Sequence, residues 1–128
     1  MNNEISLNIQ RWIFERGNYQ IIVDNAWNID LNSWKFGAFS QERITVNGEI
    51  IHNRPEVRKP VLFWRTMFED TILDSSGELE LKVQWRSVLM TVKARLLIDD
   101  DKHDWSDVVE KKWIGMKGEW PDPEYYKI

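Results

Sequence analysis

The residues most able to do chemistry lie in one acidic run, Asp99-Asp100-Asp101-Lys102-His103-Asp104-Trp105-Ser106-Asp107-Val108-Val109-Glu110. Counted from Asp99, carboxylates fall at the first, third, ninth and twelfth positions of a calcium loop. That spacing makes Asp99, Asp101 and Glu110 candidate ligands for a hard cation. Such a loop also needs glycine at its sixth position and usually Asp or Asn at its fifth. This chain has Asp104 and His103 there. The plainer expectation is a solvated acidic turn, its aspartates favouring the positive N-terminus of a following helix. Glu78 and Glu80 form a carboxylate pair of the kind glycoside hydrolysis uses, but basic residues across a hairpin account for them better. His52 and His103 are far apart and read as surface residues. Several serines complete a Ser–His–Asp triad on paper, yet none sits in a nucleophile-elbow context. The absence of cysteine excludes disulfides, zinc thiolate sites and cysteine nucleophiles. Six singly spaced glycines exclude a phosphate-cradling loop. No catalytic residue and no cofactor is therefore expected.

The aromatic residues offer a second kind of site. The chain has eight Trp, three Tyr and five Phe in 128 residues, enough large side chains to fill a core with few positions. Trp27, Trp64 and Trp85 read as core. Trp34, Trp105, Trp113 and Trp120 lie in connections or near the C-terminus. With Asp107 they are the candidate binding residues, either stacking on a ligand such as a sugar ring or packing back onto the body.

Charge narrows the partners. Acidic and basic residues balance up to Ile98, so the stretch from Asp99 onward holds the whole net charge of −4. No basic cluster exceeds Lys111-Lys112, which argues against nucleic acid. The N-terminal MNNEISLNIQRW lacks the basic and apolar regions of a signal peptide, and no apolar run reaches the length of a membrane span. A cytoplasmic protein without a membrane partner is the expectation.

The elements that position these residues read mostly as strands. From Glu78 to Arg86 apolar and polar residues alternate, with Leu79, Leu81, Val83 and Trp85 on one face. After Ser87 the parity shifts, and Val88, Met90, Val92, Ala94, Leu96 and Ile98 form the second apolar set. A turn between Arg86 and Ser87 explains the shift. It pairs Trp85 with Val88, Val83 with Met90, Leu81 with Val92 and Leu79 with Ala94, and sets Glu80 opposite Lys93 and Glu78 opposite Arg95. Residues 4–23 suggest a hairpin turning at Gly17-Asn18, pairing Phe14 with Ile21 and Glu15 with Gln20. A helix over the first part competes, because Ile5, Ile9, Trp12 and Ile13 also fit a helical spacing. Asp24-Asn25 is a turn signal, followed by alternation at Trp27, Ile29 and Leu31. Residues 33–41 read as an aromatic-anchored connection. Asn47-Gly48 predicts a type I′ hairpin pairing Val46 with Glu49, Thr45 with Ile50 and Ile44 with Ile51. Residues 53–60 read as a loop by their two prolines, and 61–68 as an apolar strand. Asp74-Ser75-Ser76-Gly77 then turns the chain. Asp104 or Ser106 is placed to cap a short helix presenting Trp105, Val108, Val109 and Trp113 on one face and ending at Gly115. The final residues form an aromatic tail pinned by Trp120 and the tyrosines. Leu89 and Leu97 interrupt the polar face of the central hairpin, where that tail is expected to cover them.

The middle of the chain resembles a known arrangement. A Trp-x-x-Asp-Leu strand over 27–31 leads to the Val46-Asn47-Gly48-Glu49 turn, then an apolar strand, an alternating strand, and a strand ending in Leu97-Ile98-Asp99-Asp100. This is similar to the compact β-sandwich of the Fas apoptotic inhibitory molecule family over residues 27–100. The second turn departs from it, being Asp-Asp-Asp where that pattern has Asp-Gly. The resemblance implies a fold and brings no catalytic or binding residue.

The expectation is a mainly β single domain over residues 1–128: an antiparallel two-layer β-sandwich with a short C-terminal helix and aromatic tail over 104–128. Its expected role is that of a non-enzymatic interaction protein, monomer or homodimer, binding a protein partner as an inhibitor or immunity-type protein would. A small-molecule or carbohydrate-binding β-sandwich is the alternative.

Overall fold

The structure is a computed structural model and describes residues 5–17, 19–29, 38–58, 64–74, 77–88, 91–116 and 119–126. In chain order the strands are β1 (Ile5–Arg16), β2 (Tyr19–Ile29), β3 (Ala38–Val46), β4 (Glu49–Arg58), β5 (Arg65–Asp74), β6 (Gly77–Val88), β7 (Thr91–Ile98), β8 (Asp101–His103) and β9 (Asp107–Gly115). A 3₁₀ turn at Pro123–Tyr126 follows. The chain is mainly β, with two antiparallel sheets, as the alternating patterns predict. It divides into two compact units, one comprising Met1–Lys59 with Ser106–Ile128 and the other Pro60–Trp105.

The first unit holds a five-stranded sheet in the order β4-β3-β2-β1-β9. The strand reading of the N-terminal segment prevails over the helix. Phe14 opposes Ile21 and Glu15 opposes Gln20, as predicted, and Gln20 Nε2 donates to Glu15 Oε1 at 2.7 Å. At the next hairpin Asn47 (φ 49°) and Gly48 (φ 83°) supply the two positive φ angles of a type I′ turn. Val46 faces Glu49 and Thr45 faces Ile50, but a bulge then sets Ile44 opposite His52 instead of the predicted Ile51. β4 continues through Pro55 to Arg58, where the prolines suggested a loop. It is an edge strand, where a residue without an N–H costs no ladder bond if that side faces outward. The larger correction concerns Asp24 and Asn25. They form no turn; they lie inside β2 and are fully buried.

One face of this sheet buries Trp12, Phe14, Ile21, Val23, Trp27 and Ile44. The other gathers Leu7, Ile9, Ala26 and Tyr126, with Trp113 and Trp120 packed against them.

The second unit holds a four-stranded sheet in the order β5-β6-β7-β8. Leu79, Leu81, Val83, Trp85, Leu96 and Ile98 are buried, so the predicted faces are right. The predicted register is not. Trp85 opposes Ala94, Val83 opposes Leu96 and Leu81 opposes Ile98, and the chain reverses between Val88 and Thr91. The displacement from the predicted pairing is even, so these side chains keep their face while their partners change. The predicted charge pairs fall with it: Lys93 opposes Arg86, Arg95 opposes Gln84, and Glu80 and Glu78 oppose Thr71 and Leu73 of β5. Arg95 Nε donates to Gln84 Oε1 at 3.0 Å. The apolar strand placed at 61–68 also moves, since β5 begins at Arg65.

The predicted C-terminal helix does not form. Residues 107–115 are β9, hydrogen-bonded to β1 at the edge of the first sheet. Val109, Trp113 and Gly115 point one way at period two, and the β-branched pair Val108-Val109 favours strand over helix. Ser106 caps no helix: its N–H donates to the Ile13 carbonyl at 2.7 Å and its Oγ accepts from Glu15 N at 2.9 Å, latching the chain to β1.

Candidate interaction surface

Asp24 organises the first sheet. It lies directly opposite Arg11 of β1 and Arg43 of β3, so one carboxylate serves three adjacent strands. Arg11 donates to it twice, Nε to Oδ1 at 2.6 Å and Nη2 to Oδ2 at 3.1 Å. Arg43 donates through Nε at 3.2 Å and Nη2 at 3.0 Å to Oδ2. The carboxylate is wholly buried and the arginine side chains are 13% and 15% exposed. Bidentate, charge-assisted bonds of this kind are the strong ones.

The guanidinium faces are what the C-terminal segment reads. Tyr126 lies over Arg11 at 3.5 Å from ring centroid to Cζ, and Trp120 over Arg43 at 4.6 Å. Gln41 Nε2 donates to the Glu119 carbonyl at 2.5 Å, and Trp120 Nε1 to Asn53 Oδ1 at 3.4 Å. Lys111 Nζ donates to the Tyr125 carbonyl at 2.7 Å, and the Tyr125 hydroxyl donates to the Lys112 carbonyl. Residues 119–126 thus form a strap across their own sheet. Burial pushes the Tyr126 hydroxyl well above its ordinary pKa; the Asp24 carboxylate adds to the rise, and Arg11 and Arg43 oppose it.

The opposite face carries a second polar row. Gln10, Asn25 and Glu42, successive cross-strand partners, are all buried. Gln10 accepts from Trp27 Nε1 at 3.3 Å and donates to Glu110 Oε1 at 3.0 Å. Glu42 sits 3.0 Å from His52 Nε2, so His52 is half-buried and paired, not the surface residue expected.

The strap and β9 also carry the exposed apolar groups. Among the described residues the exposed large hydrophobics are Ile50, Val108, Ile114, Met116 and Tyr125. All but Ile50 fall between positions 108 and 125. Exposed carboxylates at Asp107, Glu110, Glu119, Asp122 and Glu124 are interleaved with them.

The residues singled out in the sequence scatter over this frame. Trp113 and Trp120 come together on the cluster under the strap. Asp107 is exposed at the start of β9, its Oδ1 accepting from Val108 N at 2.9 Å. Trp105 belongs to the other unit, where its Nε1 donates to the Ala94 carbonyl at 2.9 Å. Trp34 and Leu89 lie outside the described residues; Leu97 is half-buried in the second unit. The cation candidates are divided between the two units. Asp99 and Asp100 form the β7–β8 turn with φ 50° and 66°, and Asp99 Oδ1 accepts from Glu80 N at 2.9 Å. Asp101 opens β8, whereas Glu110 is on β9 in the first unit. Among the described residues no group of three or more His, Asp or Glu side chains is placed to hold a metal ion. Among the same residues no helix is long and apolar enough to cross a membrane.

No protein-family model, no curated protein and no solved structure matches this chain.

Proposed function

We propose that the protein is a non-enzymatic cytoplasmic interaction module that binds a protein partner through β9 and the strap. The observation that carries this reading is the concentration of exposed Val108, Ile114, Met116 and Tyr125 in the acidic C-terminal part of the chain. Val108 and Ile114 share one face of β9 and Tyr125 lies with Lys111 on the other, so the apolar groups flank the sheet edge among exposed charges, which suits a protein–protein contact. The surplus of carboxylates there would speed association with a basic partner, as an inhibitor or immunity-type protein requires. The family resemblance bears on the fold alone and supplies no residue to this surface.

The carbohydrate alternative has less behind it. Trp120 already has Arg43 on its ring, and Trp113 packs into the cluster under the strap.

The test is quantitative capture from the native host with the full chain and with Ile114→Asp. Ile114 is 69% exposed, so the substitution should change stability by no more than about 0.5 kcal/mol. One defined protein retained by the wild type and lost by the variant supports the reading. A set of bound proteins unchanged by Ile114→Asp and by Tyr125→Lys contradicts it.

A further inference from the structure

Among the described residues β9 ends its sheet, and its outward face is patterned to match itself. On β9 the even-numbered residues turn their main-chain groups away from β1: Val108 N is bonded to its own Asp107 carboxylate, and the Lys112 carbonyl accepts from the Tyr125 hydroxyl. The side chains of Val108, Glu110, Lys112 and Ile114 share one face and all are exposed, Val108 at 42% and Ile114 at 69%. On the neighbouring β1 the same face is buried at Gln10, Trp12 and Phe14. An antiparallel copy of this strand, related by a two-fold axis at Lys111, would place Val108 opposite Ile114 and Glu110 opposite Lys112. The apolar residues meet and the charges complement in one register, and that register pairs the residues whose main-chain groups point outward.

From this the geometry points to a second copy of the chain as occupant of the β9 edge, the two five-stranded sheets joining into one continuous antiparallel sheet. The like-charged pair on the axis is no obstacle. Each Lys111 is drawn to the other face of its strand, its Nζ bonded to its own Tyr125 carbonyl and 5.2 Å from that ring. Pairing asks Asp107 to release Val108 N. The Lys112 carbonyl can accept a second bond beside that from Tyr125. An edge of nine residues buries a modest area, so the dimer is a concentration-dependent one. The proposal rests on the reading of β9 as an interaction surface and names its occupant.

Sedimentation equilibrium of the full chain tests it. Wild type should pass from monomer to dimer as concentration rises toward about 100 μM. Glu110→Lys sets like charges opposite each other twice per dimer and should weaken association at least about tenfold, as should Lys112→Glu. Mixing the two single variants restores both opposite-charge pairs across the axis, so the mixture should dimerise where neither variant does alone. That result also shows that both variants are folded. A wild type that stays monomeric throughout, or a mixture no more associated than its parts, overturns the proposal. If the chain stays monomeric but Ile114→Asp still abolishes capture of a defined partner, the dimer fails while the interaction reading stands.

Discussion

At the scale of single residues, Asp24 has the largest consequence. Its carboxylate neutralises part of two guanidiniums whose faces hold the strap. Asp24→Asn keeps the shape but leaves Arg11 and Arg43 facing each other without an anion. Breaking a buried pair in this way is strongly destabilising. Because the arginines retain some exposure, the expected loss is about 3 kcal/mol by urea unfolding. Tyr126 makes a prediction of opposite character. Its hydroxyl pKa is raised in the fold from the ordinary 10.0, so the neutral form is favoured. That contribution is whole below pH 10 and is lost as the pH climbs above it. Tyr126→Phe should therefore lose less stability than wild type between about pH 9 and pH 11, measured as the urea midpoint. None of this was legible locally. Asp-Asn is a turn signal by its own chemistry, and the arginines that override it lie 13 and 19 residues away.

At the scale of elements, local chemistry was read well where a turn residue marks the spot. Gly17 and Asn47-Gly48 fixed two hairpins, pairing for pairing, up to the bulge at Ile44. Alternation also assigned the faces of β6 and β7. It could not assign their register, because the reversal between Val88 and Thr91 carries no glycine, proline, asparagine or aspartate to announce it. The β7–β8 turn uses Asp99 and Asp100 at positive φ, a conformation costing a residue with a Cβ roughly 1–2 kcal/mol. Asp99 is partly compensated by its bond to Glu80 N. Asp100 is exposed, its carboxylate 3.9 Å from Lys82 Nζ. Asp100→Gly should stabilise the second unit by up to about 1 kcal/mol, seen as a higher melting temperature. The β9 segment reads as a helix in the sequence because Trp105, Val108, Val109 and Trp113 also fit helical spacing. What decides for a strand is the edge of β1 waiting beside it. Gly115 is the clearest mark of that packing: a methyl group there would lie inside the Trp113 indole. Gly115→Ala must displace the ring from the Leu7–Ile9–Ala26 cluster, at a cost of about 1–3 kcal/mol in urea unfolding.

For the whole molecule, the C-terminal part of the chain is a sheet edge and a strap where the sequence suggests a helix and a tail. The acidic run was singled out for its carboxylates, yet those at Asp99, Asp101 and Glu110 serve a turn and two strands. What the region contributes is a sheet edge and a strap that keep Val108, Ile114, Met116 and Tyr125 in water. The aromatic tail does return to the body, through Trp120, Tyr125 and Tyr126. Whether β9 and the strap are where this protein meets another, as proposed, has a direct measurement. A photo-crosslinking amino acid is placed at position 114 in one full-length chain and at position 50 in another, and both are irradiated in cells of the native host. Ile50 is the matching control, being 53% exposed but outside the C-terminal region. Discrete protein adducts are expected from position 114, whether to a second copy or to another protein, and none from position 50. Equal labelling from both positions, or none from position 114, would contradict the proposal.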